Sequence, residues 1–93
     1  MKGHQEYNTA YRAEVTATLA AASWSGGVQT ITDAAIDPAR DIFLTYDPDM
    51  DSDDYAELQA AQIRVTDVSS GSLELTALGT VPVHDLDIIL VVR

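Results

Sequence analysis

The chain has no cysteine among its 93 residues. That excludes a disulfide framework, a thiolate nucleophile, and any zinc or iron-sulfur site held by cysteine. Basic residues are nearly as scarce, five Lys and Arg against fifteen Asp and Glu, for a formal net charge of −10. A surface of that sign repels phosphate backbones and anionic lipid, so neither nucleic acid nor a membrane surface is an expected partner. Long apolar runs are missing too. No segment approaches the roughly 20 apolar residues that cross a bilayer, and the opening "MKGHQEYNTAYR" lacks the apolar core of a secretory signal, so a soluble protein is expected. Gly26 and Gly27 are followed by "VQT", without the lysine of a phosphate loop or the spacing of a dinucleotide fold. No cofactor is implied.

Catalytic raw material is equally thin. The two histidines are His4, in a polar N-terminal stretch, and His84, beside Asp85. His84, Asp85 and any of several hydroxyls could be drawn as a hydrolytic triad, but no nucleophile-elbow sequence accompanies them, and an exposed loop histidine is the plainer expectation. The fifteen acids offer many carboxylate pairs that nothing in the sequence ranks. No catalytic residue is assigned, and a non-enzymatic protein is expected.

What is present is short alternation. In "RAEVTATL", Ala13, Val15, Ala17 and Leu19 alternate with Glu14, Thr16 and Thr18, the period of a half-buried strand. "SGG" after Trp24 supplies a turn into a weaker strand, "VQTIT". "DIFLTY" places Ile42, Leu44 and Tyr46 on one face, with Phe43 and Thr45 on the other. "AQIRVT" and "SLELTA", joined by "SSG", read as a hairpin with Ala61, Ile63, Val65, Leu73, Leu75 and Ala77 inward. Pro82 lies in the next connector because it cannot donate to a central ladder. The last strand, "DLDIILVVR", begins as an alternation and then turns apolar on both faces. A strand of that kind is covered on both sides. With Leu86, Ile88, Leu90 and Val92 assigned to the core, Ile89 and Val91 are expected at a subunit interface. The sum is an all-β domain of about six strands over residues 13–93, a small antiparallel sandwich or barrel, preceded by an arm at residues 1–12. A domain this small keeps much of its surface wet, so oligomerisation would help it. Tyr7, Tyr11 and Arg12 in the arm are the candidates for attachment to a partner, since Tyr and Arg are favoured at interfaces.

"DPDMDSDDYAE" holds five aspartates and a glutamate between Asp47 and Glu57, which raises calcium. An EF-hand loop needs oxygen ligands at its first, third and fifth positions, glycine at the sixth and glutamate at the twelfth. Starting at Asp47, the ligands fall on Asp47, Asp49 and Asp51, but Ser52 takes the glycine position and Leu58 the glutamate position. Starting at Asp49, the ligands are Asp49, Asp51 and Asp53, and the same two positions fail. A solvated acidic connector is the better expectation, ending in about one helical turn with Ser52 or Asp53 as N-cap. Trp24, between a strand and a glycine turn, reads as a packing residue before it reads as a sugar-stacking platform.

Taken together, "VTATLAAASW", "QTIT", "DIFLTYDP", "YAELQAAQI", "GSLELTA" and the ending "VPVHDLDIILVV" with Pro82, Asp85 and Leu86 resemble a small β domain of tailed-bacteriophage head-fibre and virion decoration proteins. The resemblance spans roughly residues 13–93 and rests on architectural positions, so it carries no functional residue across. It implies a virion structural protein at the particle surface, a homotrimer bound to the major capsid protein or another virion protein. The acidic stretch and the short arm depart from the pattern and leave fibre, decoration and tail roles open. A carbohydrate- or receptor-binding module of a phage tail or fibre, using Trp24 and the tyrosines, is the alternative.

Overall fold

The computed structural model describes residues 12–93. Tyr7 and Tyr11 of the expected arm, and His4, lie outside that range. Arg12 is the first described residue, and its guanidinium donates to Glu14 Oε2 at 2.7 Å.

Six strands form where the alternation places them: β1 (Ala13–Leu19), β2 (Val28–Thr32), β3 (Ile42–Thr45), β4 (Ile63–Ser69), β5 (Ser72–Ala77) and β6 (Leu86–Val92). They make two antiparallel three-stranded sheets, ordered β1-β6-β3 and β2-β5-β4. β6 is the middle strand of its sheet, which is why it is the most apolar segment of the chain. Its inward residues Leu86, Ile88, Leu90 and Val92 are fully buried. They meet Leu19, Ala17, Val15 and Ala13 of β1, while Leu90 and Val92 also face Leu44 and Ile42 of β3. The other sheet contributes Ile31, Leu73 and Leu75, and residues of both sheets join Ile36 and Leu58 in one core.

The turns follow from local chemistry. Between Ser25 and Val28, which exchange both backbone hydrogen bonds, Gly26 and Gly27 have φ of 60° and 80°. Positive φ at both central residues is the signature of a type I′ turn, and only glycine takes it without strain. The hairpin expected from "SSG" forms between β4 and β5, but its register slips between Val65 and Asp67. That bulge explains why Val65 and Val68, three apart, both face the core. Gln29 of β2 is a buried polar side chain, 5% exposed. Its amide is satisfied by the Ala20 backbone just after β1, donating from Nε2 to the carbonyl at 3.2 Å and accepting from the N–H at 3.1 Å. One side chain of the second sheet thereby ties down the chain leaving the first.

The structure corrects the all-β expectation at one place: the fold is mostly β, with a ten-residue helix, α1 (Ser52–Ala61), before β4. The N-cap is Asp51, not Ser52 or Asp53. Asp51 has non-helical backbone (φ −56°, ψ 142°) and its carboxylate accepts from the Asp53 N–H, while Asp53 and Asp54 sit in the first turn where the helix dipole favours negative charge. Only Leu58 and Ala61 of α1 are buried. Ala61, expected at the start of a strand, instead closes the helix, and Gln62 then takes a left-handed conformation with φ 48°.

The last carbonyls of α1 are capped from elsewhere in the chain. Leu78, Gly79 and Thr80, in the β5–β6 connector, donate their N–H groups to Gln62, Ala61 and Ala60 at 3.2, 2.8 and 3.0 Å. A helix end leaves its final carbonyls unpaired, and the connector fills that need.

Candidate functional site

The chemistry-bearing residues collect at one end of the molecule, around α1, the acidic stretch before it and the connector into β6. In the stretch itself, aspartate is first of all a turn builder. Asp47 accepts from the Asp49 N–H at 2.8 Å and Asp51 from the Asp53 N–H at 3.1 Å. Asp33 and Asp37 do the same for Ala35 and Ala39 earlier in the chain, at 2.8 and 2.9 Å. Each carboxylate bonds the backbone two residues on, the Asx turn that makes Asp frequent in tight connections.

Asp47, Asp49, Asp51 and Asp54 nevertheless line an open cleft of about 290 Å³ together with Met50, Asp85 and Asp87. Asp85 and Asp87 reach it from the start of β6, and both hold other parts of the fold. Asp85 accepts from the Ala21 N–H at 2.8 Å, and Asp87 from the Thr18 hydroxyl at 2.7 Å. Asp53, the fourth calcium candidate, does not line the cleft. Among the described residues, no group of three or more acidic or histidine side chains is arranged to hold a metal ion.

Beside the cleft, Tyr46 at the end of β3 faces Tyr55 of α1, ring centroids 4.9 Å apart and planes inclined at 58°. Gln59, one turn further along α1, donates to the Tyr55 hydroxyl at 2.8 Å. The Tyr46 phenol is held above its ordinary value of 10.0, first by its hydrogen bond to Tyr55, then by burial and by the neighbouring Tyr55 charge. Tyr46 lines two adjoining depressions. One, about 260 Å³, is bordered by Leu44, Leu58, Gln59, Gln62 and Ile63, and the other, about 280 Å³, by Pro48, Met50, Ser52 and Tyr55.

In comparison with family models, curated proteins and solved structures, nothing matches this chain.

His84 finds a partner that its sequence neighbours did not indicate. Its Nδ1 lies 2.8 Å from Glu57 Oε1, 27 positions away, while Asp85 is engaged with Ala21. Among the described residues no serine or threonine hydroxyl is hydrogen-bonded to the imidazole, so the Ser/Thr, His84 and Asp85 constellation is not assembled. The histidine is exposed, as its loop position suggested. Trp24 packs against the core, partly buried, and its indole N–H is buried without an acceptor among the described residues.

Ile89 and Val91, expected at a subunit interface, occupy the outer face of the β1-β6-β3 sheet. Val91 is only 8% exposed within the single chain, between Glu14 and Phe43. Ile89 is half-buried between Thr16 and Thr45. Phe43 stands half exposed on the same face, with the Arg93 guanidinium 5.3 Å from its ring centre.

Proposed function

We propose that this chain is a non-enzymatic structural protein of a tailed-bacteriophage virion, a capsid decoration or head-fibre component. It acts as a homotrimer of small β-sandwich domains at the particle surface, held by the major capsid protein or another virion protein through its N-terminal arm. The observation that supports the assembly is the outer face of the β1-β6-β3 sheet, where Phe43, Ile89 and Val91 form an apolar strip down the middle of threonine-rich edges. Within the single chain Phe43 stays half exposed and Ile89 only half-buried, whereas Val91 is already buried. The positions of the resemblance, Pro82, Asp85 and Leu86, are structural in kind: Pro82 and Leu86 are buried and Asp85 fastens the chain after β1.

Two results test the proposal. Particles banded in a density gradient should contain the chain in stoichiometric amount, and its absence from them overturns the virion role. Ile89→Lys should weaken self-association while leaving the circular dichroism spectrum intact, because a charge placed on the outer face is tolerated in water and costly at an apolar contact. Unchanged association in that variant removes the sheet face from the interface.

A second reading, a carbohydrate- or receptor-binding module, is favoured by the Tyr46 and Tyr55 rings beside the Gln59 and Gln62 amides. Aromatic faces with flanking amides suit the apolar face and hydroxyls of a sugar. Chemical-shift changes at the Gln59 and Gln62 side-chain amides on glycan titration would support it, and their absence across a glycan panel would count against it.

A further inference from the structure

The β5–β6 connector, residues 78–85, is fastened to α1 at two points. The first is the backbone cap at Leu78, Gly79 and Thr80. The second is a single carboxylate. Glu57 Oε2 accepts from the Val83 N–H at 2.6 Å and the His84 N–H at 2.9 Å, and Oε1 lies 2.8 Å from His84 Nδ1. Two successive backbone amides converging on one oxygen make an anion nest, and the ionised carboxylate fills it with charge-assisted bonds. The Glu57 side chain is 20% exposed and that of His84 is 72% exposed, so protons reach the pair freely while the carboxylate stays packed between helix and connector.

We propose that Glu57 and His84 form a proton-controlled latch that fastens the connector to α1 and sets the arrangement of its exposed apolar side chains. Those side chains are Val81 and Val83, which are 37 and 75% exposed; Leu78 belongs to the backbone cap instead. The charged groups facing His84 are Glu57 and Asp54 from α1 and Asp85 from the connector, all acidic. The group facing Glu57 is His84, with the Val83 and His84 amides.

The direction of each titration follows. The Glu57 carboxyl is held below its ordinary 4.5, foremost by the His84 ring and then by the His84 amide, with burial opposing and the Val83 amide and the His84 charge adding. Its contribution is complete above 4.5 and is lost as the pH falls through its folded value. His84 is raised above its ordinary 6.5, foremost by its hydrogen bond to Glu57 and then by the Glu57 charge, with burial opposing and Asp54 and Asp85 adding. Its contribution is complete below 6.5 and is lost as the pH rises through its folded value. Between those two ordinary values both groups are ionised and the latch is closed. On the alkaline side it loosens only in part, since neutral imidazole can still donate from Nδ1 and the two amides keep their acceptor. On the acid side the protonated carboxyl gives up its charge and an acceptor site, so the bonds from both amides lose their charge assistance and weaken.

The test is a pH titration of the full chain by amide and histidine NMR. The Val83 and His84 amides should shift together at one midpoint below 4.5, shared with the Glu57 carboxyl, and the His84 ring should titrate above 6.5. Glu57→Gln should abolish the shared amide transition, return the ring toward 6.5, and speed amide exchange at Val83 and His84 by roughly tenfold, the loss of a hydrogen bond to charge. His84→Ala should keep the amide transition but move it toward 4.5, which preserves the test if Glu57→Gln folds poorly. Amides that do not follow the Glu57 carboxyl, or a ring that titrates alike with and without Glu57, would overturn the latch.

Discussion

Gly79→Ala puts the packing of the connector on α1 to a quantitative test. The Gly79 N–H donates to Ala61 at 2.8 Å, flanked by the bonds of Leu78 and Thr80 to the same helix end. A Cβ built on Gly79 collides with the Ala60 carbonyl oxygen and lies 3.3 Å from the carbonyl carbons of Ala60 and Ala61. All of these obstacles are backbone, so no side-chain rotation relieves the clash. The connector must lift away, weakening hydrogen bonds worth about 0.5–1.5 kcal/mol each, or the helix end must shift at an overpacking cost of about 1–3 kcal/mol. Because the freed carbonyls can reach water, the expected loss is about 2–4 kcal/mol, a large share of the ~5–15 kcal/mol that holds a domain together. At about 4–8 °C per kcal/mol for a domain of this size, Tm should fall by roughly 8–32 °C. Urea denaturation followed by circular dichroism gives the free energy directly. Gly71→Ala is the control: Gly71 has φ of 83° but open space around it, so its cost is backbone strain alone, about 1–2 kcal/mol. If Gly79→Ala stays within about 0.5 kcal/mol of the parent chain, or costs less than Gly71→Ala, the account of the helix cap is wrong.

Two further substitutions probe the polar ties. Gln29→Leu keeps the volume but strips both partners from the Ala20 backbone, and should cost about 1–3 kcal/mol in urea unfolding; a neutral result would mean that water replaces the amide. Asp51→Ala removes the N-cap of α1 and should lower stability by about 1 kcal/mol, while Asp51→Asn, which can accept the same bond, should stay close to the parent; equal losses in the two would place the effect in charge and not in capping.

Most strands were legible because they carry the alternation of a one-sided sheet, and the bounds of β1 and β5 follow it closely. The full length of α1 was not. It buries only Leu58 and Ala61, and its C-terminal end is completed by Leu78, Gly79 and Thr80, contacts that no local pattern announces. The doubly apolar end of β6 signalled a strand covered on both sides, and part of that cover is internal: Val91 sits between the β1 and β3 edges of its own sheet. The acidic stretch misleads by count alone, since a carboxylate that turns its own backbone looks in sequence like one that binds a metal. At the candidate site, His84 was visible but its partner was not. Asp85 is its neighbour in sequence, whereas Glu57 comes beside it only when the connector folds back along α1.

Sedimentation of the purified chain at micromolar concentration tests the assembly proposal most directly. A trimer sediments at three times the 10.0 kDa chain mass, and Ile89→Lys should move it toward the single-chain mass with its β-sheet spectrum retained. A parent protein that is folded and sediments at 10.0 kDa would contradict it.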